Sequence, residues 1–501
     1  MNELFLFVRP PRPLWPFNGP ASAFWPPLAF ASLAASLRAR VRDLRVAILD
    51  APAWQMGWRT LEGEIRRLQP AFVGMGEEAV SCVEGFRLAR LAKAVGAQVI
   101  AGGCFFSHVA TQVLQGGWVD AVVHGEGEIT IVELVEALRD SSAETLSQVP
   151  GISFIQDGQV ITTPSRPLLP DLDQLPFPAY DLLPTHRYGR HSRNHPDLAA
   201  IELGRGCVGS CEFCVLWRQM AEMRGGQPAS RLRLKSPERL VAEVEWLIQQ
   251  HHRRYLGWVD PCFNADSTVP AQMAERLLKK DIRIGQSAWV RADGIVRDAA
   301  SGALNACVEA GLNEIYLGIE RSDAEGLRTF RKSTRLEEVR TALHLIAAQY
   351  PQVFTVGSFI YGLPGDTTAT MLAMYRVSVE LELDKAFFIP LTPLPGTPYW
   401  RPELWDPSGE RFRGFDFLPP SPRNSAHPAL ERALFWSFVL DWNGARLGSY
   451  LRGFFSADSR RRRLTRRLFA RATRFSAGRL RRALSGSTTP GGMVFPKWYE
   501  S

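Results

Sequence analysis

The sequence contains few cysteines and no long hydrophobic run. Seven cysteines are scattered over 501 residues, which excludes a disulfide scaffold. No stretch offers about eighteen uninterrupted apolar residues, so no hydrophobic span is predicted. The first residues, Met1–Leu4, lack the positive charge with which signal peptides begin. We therefore expect a cytoplasmic protein of two to four domains.

Three of the cysteines, Cys207, Cys211 and Cys214, lie close together in the sequence. Thiolate ligands at such spacing select zinc or an iron–sulfur cluster. A closed zinc site needs a fourth ligand nearby, and the nearest histidine downstream is His251. Three ligands to a four-iron cluster leave one iron open for reaction, so the spacing favours a reactive cluster.

The spacing C-x3-C-x2-C, with the aromatic Phe213 before the last cysteine, resembles the signature of the radical S-adenosylmethionine (SAM) superfamily. The resemblance implies that the open iron binds SAM, that Phe213 lies beside it, and that reduction cleaves SAM to a 5′-deoxyadenosyl radical. It also implies a partial six-stranded (βα) barrel and an electron donor such as a flavodoxin or a ferredoxin.

Strands and helices alternate over the first 140 residues, with strands predicted at 4–8, 45–50, 71–75, 98–101 and 121–123. This pattern predicts an α/β, doubly wound, Rossmann-like sheet, in which ligands bind beyond the carboxyl ends of the strands. Glycines at those ends would let the backbone approach a large flat ligand and its phosphate tail closely. They are Gly74, Gly76, Gly102, Gly103, Gly125 and Gly127.

The order of these segments resembles the cobalamin-binding domain that precedes many radical SAM domains. Its marks are Arg9-Pro10 after the first strand, Gly102-Gly103 after the fourth and Gly125-Glu126-Gly127 after the fifth. The resemblance implies that these residues, with Gly74 and Gly76, bind cobalamin. The Asp-x-His-x-x-Gly motif of cobalamin mutases is absent, so we expect cobalamin without a histidine on cobalt. A degenerate domain that no longer binds cofactor is the alternative.

Strands and helices alternate again after the cysteine motif, and polar residues at the carboxyl ends of barrel strands are where such sites form. Glu320, with Gly318 and Lys332, is similar to the family pattern in which a carboxylate holds SAM. The resemblance implies that Glu320 binds SAM, with Arg291, Gly362 and Asp366 as further candidates in the same pocket. Arg321 stands where the family more often has serine.

Composition divides the chain into four parts. We expect a cobalamin-binding domain at 1–145, a Pro-rich linker with a hairpin at 146–195, a radical SAM barrel at 196–400 and a helical region at 401–501. The segment Leu391–Thr397 resembles the one that closes the barrel in cobalamin-dependent members. A Trp- and Phe-rich helix is predicted at 430–451.

The net charge of +8 is a local property. Twelve arginines and one aspartate lie between Arg452 and Leu484, and the remainder of the chain has 47 basic against 50 acidic residues. Leu464, Leu468, Ala472 and Phe475 share one helical face within this stretch. A basic amphipathic helix is typical of proteins that bind an anionic membrane surface. Nucleic acid is the less favoured partner.

These features together predict a cobalamin-dependent radical SAM methyltransferase that acts on an unactivated carbon. The resemblance implies that the 5′-deoxyadenosyl radical removes hydrogen, that methylcobalamin supplies the methyl group and that a second SAM restores it. No residue pair resembles an acid–base dyad, and no catalytic side chain is named.

We expect a lipid-like substrate and an enzyme located peripherally on the inner face of the membrane. Among radical SAM enzymes the chain most resembles hopanoid C-3 methylases, and Asp260–Asn264 contributes to that resemblance. The alternatives are the oxidative cyclase of anaerobic chlorophyll-type tetrapyrrole synthesis and a non-catalytic cobalamin sensor. A tRNA methylthiotransferase is disfavoured, because Cys82 and Cys104 do not supply the three extra cysteines that it needs.

Overall fold

The fold is known from a computed structural model. It describes residues 3–12, 25–76, 78–140, 143–190, 195–224, 227–414, 447–457 and 498–501, together with 459, 461–463, 465–466, 469–470 and 473. A seven-stranded mixed sheet and a six-stranded parallel sheet, one after the other along the chain, organise the described residues.

The strands, numbered in chain order, have bounds close to those that hydrophobic patterning predicts. They are β1 Glu3–Arg9, β2 Leu44–Asp50, β3 Phe72–Met75, β4 Gln98–Ala101, β5 Ala121–Val123, β6 Ile152–Gln156, β7 Gln159–Thr162, β8 Leu198–Ile201, β9 Gly204–Arg205, β10 Ala221–Arg224, β11 Gln227–Ser230, β12 Arg233–Leu234, β13 Tyr255–Trp258, β14 Gly285–Val290, β15 Leu312–Glu320, β16 Phe354–Tyr361 and β17 Lys385–Pro390.

The helices cover the faces of both sheets. They are α1 Leu28–Arg40, α2 Ala51–Trp54, α3 Trp58–Leu68, α4 Cys82–Ala94, α5 Gly103–Phe106, α6 Ala110–Gln115, α7 Gly127–Asp140, α8 Ala143–Ser147, α9 Leu216–Gln219, α10 Pro237–Gln249, α11 Thr268–Lys279, α12 Ala292–Ser301, α13 Ala303–Glu309, α14 Ala324–Thr329, α15 Leu336–Gln349, α16 Thr368–Glu380 and α17 Leu447–Phe454.

The first sheet has the order β2-β1-β3-β4-β5-β6-β7, and its first five strands are parallel. Phe5 and Phe7 of β1 pack on the side of α1 and α7, whereas Leu4 and Leu6 pack on the side of α3 and α4. Because both faces are covered, the strand is a continuous apolar run. The predicted doubly wound sheet is confirmed.

The hairpin of β6 and β7, predicted in the linker, belongs to this first sheet. β6 pairs antiparallel with β5, so the sheet extends beyond the predicted boundary at residue 145. The turn between the two strands is Asp157-Gly158, and both residues have positive φ, at 49° and 77°. Such a turn matches the twist of a hairpin, which then adds two strands to the sheet edge.

The second sheet has the order β8-β13-β14-β15-β16-β17, and every pairing in it is parallel. Helices α10–α13, α15 and α16 cover its outer face and share one core with the inner side of α1 and α7. The predicted partial (βα)6 barrel is therefore confirmed. Its carboxyl strand ends, where sites form in such barrels, carry the predicted SAM-binding residues.

The C-terminal region is described only in part. Residues 415–446 lie outside the described residues, and so does most of the predicted helix at 430–451. The four apolar residues of the basic stretch, Leu464, Leu468, Ala472 and Phe475, also lie outside them. Among the residues that are described, no helix is both long enough and apolar enough to cross a membrane.

Candidate functional site: the cysteine loop and the facing glycine edge

The cysteine loop connects β9 to α9, at the carboxyl end of the barrel sheet. Gly206 opens it with φ at 94°, and a Cβ there would lie 2.0 Å from the carbonyl oxygen of Arg231, so only glycine fits. The Trp217 indole donates to the carbonyl of Cys211 at 2.9 Å and fixes the far side of the loop. The loop is thus held at both ends by its neighbours.

The thiols of this loop converge. A Cβ on Gly209 would lie 3.6 Å from Sγ of Cys207 and 3.7 Å from Sγ of Cys211, so both sulfurs border one small space. Burial, with Glu320 and the other two thiols nearby, raises the pKa of Cys211 to about 11 despite Lys332. Burial also raises the pKa of Cys214. A metal centre beside Cys211 and Cys214 would oppose this effect and favour the thiolate form that binds metal.

The donor set, three cysteine thiols in one loop, fits a four-iron cluster. Among the described residues, no three His, Cys, Asp or Glu side chains converge closely enough to hold one metal ion. In a cluster each cysteine would bind a different iron, which requires wider spacing between the sulfurs. The structure thus brings together the three predicted ligands, and their binding of a cluster stays a prediction.

Glu320 ends β15 in a strained conformation. Its φ is 68°, in the left-handed region that a non-glycine residue rarely adopts, where the register between β15 and β16 shifts. Its buried carboxylate lies 3.2 Å from the ammonium of Lys332. A Cβ on Gly318 would lie 2.3 Å from that carboxylate, so Gly318 makes room for the pair. Burial raises the pKa of Glu320 against the effect of Lys332.

Asp366 and Gly362 form one unit with Arg321, the residue that departs from the family pattern. The guanidinium of Arg321 donates to both carboxylate oxygens of Asp366, at 2.7 and 2.6 Å. The amides of Gly362 and Leu363 donate to the same carboxylate at 2.8 and 3.0 Å. These contacts fix the loop after β16, so Asp366 supports the backbone of Gly362 through its side chain.

Arg291 lies directly beside the cysteine loop. Its Nη1 is 3.9 Å from the position of a Cβ on Gly209, and its guanidinium also contacts Asp293 and Ser333. The Asn264 side chain bonds both the amide and the carbonyl of Arg291, at 2.8 and 3.0 Å. The segment Asp260–Asn264, part of the hopanoid methylase resemblance, thus holds the end of β14.

Phe213 packs on Phe330. Its ring contacts Phe330 edge-to-face with centroids 5.0 Å apart, and the amide of Glu212 donates to the carbonyl of Phe330 at 3.0 Å. The loop is therefore fastened to the segment after α14. Phe213 and Phe330 belong to a hydrophobic cluster that also includes Ile360 and Leu363. Because Leu363 follows Gly362, this cluster places Phe213 next to the predicted SAM pocket.

The predicted cobalamin glycines separate into two groups. Gly76, Gly102, Gly103 and Gly125 lie at the carboxyl edge of the first sheet, and a Cβ on any of them would meet no atom closer than 3.5 Å. Gly103 and Gly125 have φ at 82° and 65°. This edge presents backbone rather than side chains, which fits a large flat ligand.

The other two glycines have a packing role. A Cβ on Gly74 would lie 2.7 Å from the rings of Phe5 and Phe7, and one on Gly127 would lie 2.8 Å from Leu33. Glycine at position 74 lets β3 pack against these rings, and glycine at position 127 lets α7 pack against Leu33. Their predicted contact with cobalamin has no geometric support of this kind.

Arg9 and Glu126, also predicted to bind cobalamin, are engaged elsewhere. The buried guanidinium of Arg9 donates to Asp50 at 2.8 Å and to the carbonyl of Trp25 at 2.8 Å, and Pro10 beside it is buried. The carboxylate of Glu126 accepts from Arg205 at 2.9 Å and from Arg233 at 2.8 Å. The physical reason is charge: buried guanidinium and carboxylate groups pair with each other.

Sequence reasoning missed Arg205, which joins the two halves of the chain. It lies two residues before Cys207 and donates to Glu126, to Glu128 at 2.6 Å and to Glu202 at 3.0 Å. The motif Gly-Glu-Gly-Glu at the start of α7 therefore binds the strand that leads into the cysteine loop. The signal in the sequence that could have identified this contact was the pair of acidic residues, Glu126 and Glu128, next to the predicted ligand-binding glycines.

The glycine edge and the cysteine loop also meet directly. Gln219 of α9 donates to Ser107, just after α5, at 3.4 Å. The ring of His108 lies against Gly396 of the barrel-closing segment, where a Cβ would be 2.2 Å away. Burial, with Glu78 and Cys214 nearby, raises the pKa of Cys104 to about 12. The turn at α5 thus lies between both candidate cofactor sites.

Comparison with known sequences agrees with this geometry. Residues 201–377 match the Radical SAM superfamily. An uncharacterized methyltransferase of Pyrococcus horikoshii is 28% identical over 378 residues, covering 75% of this chain and 78% of that protein. The anaerobic magnesium-protoporphyrin IX monomethyl ester cyclase of Rubrivivax gelatinosus is 27% identical over 400 residues, covering 78% of this chain and 68% of that protein.

The hopanoid C-3 methylase of Methylococcus capsulatus is 27% identical over 324 residues, which cover 63% of this chain and 56% of that protein. Among solved structures, the radical S-adenosylmethionine methyltransferase TsrM from Kitasatospora setae superimposes with a TM-score of 0.62. The sequences are 17% identical, and the match covers 80% of this chain and 75% of the other. This likeness concerns the fold, and it includes both sheets.

Proposed function

We infer that this chain, whose residues 201–377 form a radical SAM domain, is a cobalamin-dependent radical SAM methyltransferase that acts on an unactivated carbon. Its cofactors are a four-iron cluster on Cys207, Cys211 and Cys214, SAM, and cobalamin at the glycine edge of the first sheet. When bound, the cluster with SAM supplies hydrogen abstraction, and cobalamin supplies the methyl group.

The observation that supports this function best is the contact between the glycine edge and the cysteine loop. Gln219 reaches Ser107, and His108 packs on Gly396, so the two candidate cofactor sites face one another across the turn at α5. A methyl group carried at one site and a radical formed at the other need a common substrate between them. Two separate cofactor domains would have no need for such a contact.

The side chains of the site bind and orient rather than transfer protons. Lys332 and Glu320 neutralise each other in a buried position, which leaves further carboxylate oxygens and ammonium protons to bind the polar groups of SAM. Arg321 holds Asp366 and thereby the loop at Gly362. Glu126, Glu128 and Arg205 hold the first sheet against the cysteine loop.

A labelling experiment tests this function. The protein is reconstituted anaerobically with iron, sulfide and cobalamin, then incubated with methyl-labelled SAM and a lipid extract under reducing conditions. We expect bound iron and cobalamin, formation of 5′-deoxyadenosine and label in a lipid product. In the Cys207→Ala, Cys211→Ala, Cys214→Ala variant iron should be lost, whereas Cys307→Ala, which changes a buried cysteine of α13, should retain it. Unchanged iron in the triple variant contradicts the cluster assignment.

We propose a lipid-like substrate, with hopanoids as the first class to test. The similarity to a hopanoid C-3 methylase and the basic, aromatic-rich C-terminal region support this proposal. The second candidate is the oxidative tetrapyrrole cyclase, which the extended similarity to such a cyclase favours. The labelling experiment separates them, because a cyclase forms 5′-deoxyadenosine without transferring methyl to its substrate.

We further propose that the enzyme works at an anionic membrane surface and receives electrons from a flavodoxin or a ferredoxin. The basic stretch between Arg452 and Leu484 supports the first proposal, because each arginine near an anionic leaflet favours binding. The need of a reducible cluster for a one-electron donor supports the second. Nucleic acid is the competing partner of the basic stretch.

A further inference from the structure

We propose that Trp25, Val259 and Trp289 form one wall of the substrate pocket and bind a flat, apolar body of fused rings. The proposal rests on the function proposed above and adds to it the residues that contact the substrate. The three side chains are 40%, 42% and 40% exposed, although each lies on or against the inner face of the barrel sheet. Large apolar side chains left exposed inside a cleft usually mark a binding surface.

Trp25 is held firmly in this exposed position. Its carbonyl accepts a hydrogen bond of 2.8 Å from Arg9, whose guanidinium is paired with the buried Asp50. Asp50 in turn accepts from the Tyr188 hydroxyl at 2.6 Å and from the amide of Ala53. A buried ion pair at the end of β1 thus fixes the backbone from which the indole projects into the barrel.

Gly257 provides the space that the indole occupies. A Cβ on this residue would lie 2.1 and 2.3 Å from two ring carbons of Trp25, closer than any side chain tolerates. The six-membered ring of the indole therefore contacts β13 at Gly257, and the absence of a side chain at this position is what admits it. A residue from the N-terminal domain in this way completes the inner face of the barrel.

Val259 and Trp289 continue the wall from Trp25. Gly257 pairs with Ser287. Trp289 follows two positions later in β14, and Val259 follows two positions later, just beyond the end of β13. Both therefore project to the face opposite Trp258 and Ala288, which pack in the core on the helix side. Trp289 also contacts Tyr316 on β15, with ring centroids 5.0 Å apart. The apolar surface thus runs across adjacent strands from β13 to β15.

This wall leads to the cysteine loop. Arg291 follows Trp289 by two residues, and its guanidinium reaches the position next to Gly209 in the loop. At the other end Trp25 is tied to Arg9, at the carboxyl edge of the first sheet. A molecule lying on the wall would therefore extend between the two candidate cofactor sites, as the substrate of the proposed reaction must.

The chemistry of the wall selects its occupant. Its exposed members are two indoles and one isopropyl group, which favour flat contact with a rigid ring system. Glu314, a charged residue on the same strand face as Tyr316, is bound by His195 at 2.8 Å and by Tyr316 at 2.6 Å. Because that carboxylate already has two partners, the wall offers apolar contact rather than an ionic anchor.

Equilibrium binding to the reconstituted full-length protein tests the proposal. The probes are a hopanoid alcohol and magnesium protoporphyrin IX monomethyl ester, two fused-ring molecules of different chemistry. We expect the wild type to bind at least one of them, and Trp25→Ala and Trp289→Ala each to weaken that binding by about tenfold or more. Gly257→Ala should act like Trp25→Ala, because the added methyl group displaces the indole.

Trp54→Ala is the matched control. Trp54 is also 40% exposed, but it lies in α2 beneath the guanidinium of Arg187, away from the barrel face. This variant should bind the probes within about twofold of the wild type, and Trp25→Phe should keep most of the affinity. Equal losses in Trp54→Ala and Trp25→Ala, no loss in Trp25→Ala, or no binding of either probe by the wild type would overturn the proposal. Iron content, cobalamin content and SAM cleavage report separately on the proposed function.

Discussion

The ammonium of Lys332 lies 3.2 Å from the carboxylate of Glu320 at the mouth of the barrel, where Glu320 is buried and the Lys332 side chain is 11% exposed. Glu320 holds this position with φ at 68°, which costs free energy on the order of 1–3 kcal/mol for a non-glycine residue. Such strain persists where the surroundings enforce it, and here Gly318 leaves the necessary space. A ligand-binding role would account for such strain, and the binding of SAM by Glu320 stays a prediction.

Glu320→Gln should weaken SAM binding by about tenfold, because it removes the negative charge while keeping the shape of the side chain. Equilibrium dialysis with labelled SAM on the iron-loaded protein measures this. Glu314→Gln is the control, since Glu314 is a buried carboxylate on the same strand whose partner is His195. Equal losses in both variants would mean that the effect is structural and that Glu320 does not contact SAM.

Hydrophobic periodicity predicted most of the barrel correctly. The alternation of strands and helices predicted after the cysteine motif is present, and it ends with the strands Phe354–Tyr361 and Lys385–Pro390. Parallel strands buried on both sides give uninterrupted apolar runs that are easy to recognise. Once the strands were predicted, their carboxyl ends were known as well. Arg291, Glu320 and Asp366 could therefore be placed at the same end of the barrel.

Contacts between distant parts of the chain could not be predicted in this way. Glu126 was predicted to bind cobalamin because of its glycine neighbours, yet it pairs with Arg205, 79 residues away. Gly74 was likewise predicted to bind cobalamin, yet it leaves the space that the rings of Phe5 and Phe7 occupy. Local sequence identifies which residues lie at a strand end, but the partner of a buried charge depends on the tertiary arrangement.

The pH dependence of stability provides a second prediction, at Asp260. Burial raises the pKa of Asp260 to about 7, although the amides of Leu203 and Gly204 donate to its carboxylate at 2.8 and 2.7 Å. In the unfolded chain the pKa is about 3.9. Between these values the folded state retains a proton that the unfolded chain has released. The resulting stabilisation is present below about pH 4 and is lost as the pH rises through about 7.

The Tm of the apoprotein should therefore fall between about pH 5 and about pH 7, and Asp260→Asn should remove part of that fall. Circular dichroism at several pH values measures both proteins. Asp157→Asn, in the exposed turn between β6 and β7, should keep the dependence of the wild type. If the curves of wild type and Asp260→Asn run parallel, Asp260 is ionised throughout the range.

The third prediction concerns the lower face of bound cobalamin. We expect no histidine on cobalt, because the Asp-x-His-x-x-Gly motif is absent and Nε2 of His108, the first described histidine of the N-terminal domain, lies against Gly396, where a Cβ would be 2.4 Å away. His124 likewise contacts Ser153 at 2.7 Å. Electron paramagnetic resonance of the cob(II)alamin form should lack nitrogen splitting from the protein. Splitting that disappears in His108→Ala or His124→Ala would contradict this prediction.

The basic stretch near the C-terminus contains two kinds of arginine. Arg461 is largely buried and pairs with Asp384 at 3.0 Å, immediately before β17, so it fastens the stretch to the amino-terminal end of the barrel. Arg463 and Arg466 are exposed. Truncation at about Ser456 should abolish binding to anionic liposomes, but it also removes the contact of Arg461, so exposed positions give the cleaner test.

Arg463→Gln with Arg466→Gln should weaken binding to anionic liposomes by about 30-fold, since each basic residue near such a surface contributes roughly 1 kcal/mol. Arg461→Ala, the control, should lower the Tm because Asp384 loses a partner, while liposome binding changes less.

Salt should weaken liposome binding only partly if the predicted apolar face inserts, whereas a purely electrostatic contact with nucleic acid should weaken by roughly 10³. If the full-length protein ignores anionic liposomes but retains duplex or single-stranded nucleic acid, the membrane proposal fails. The argument for a lipid-like substrate then loses the support of the basic stretch and rests on the apolar wall of the barrel alone.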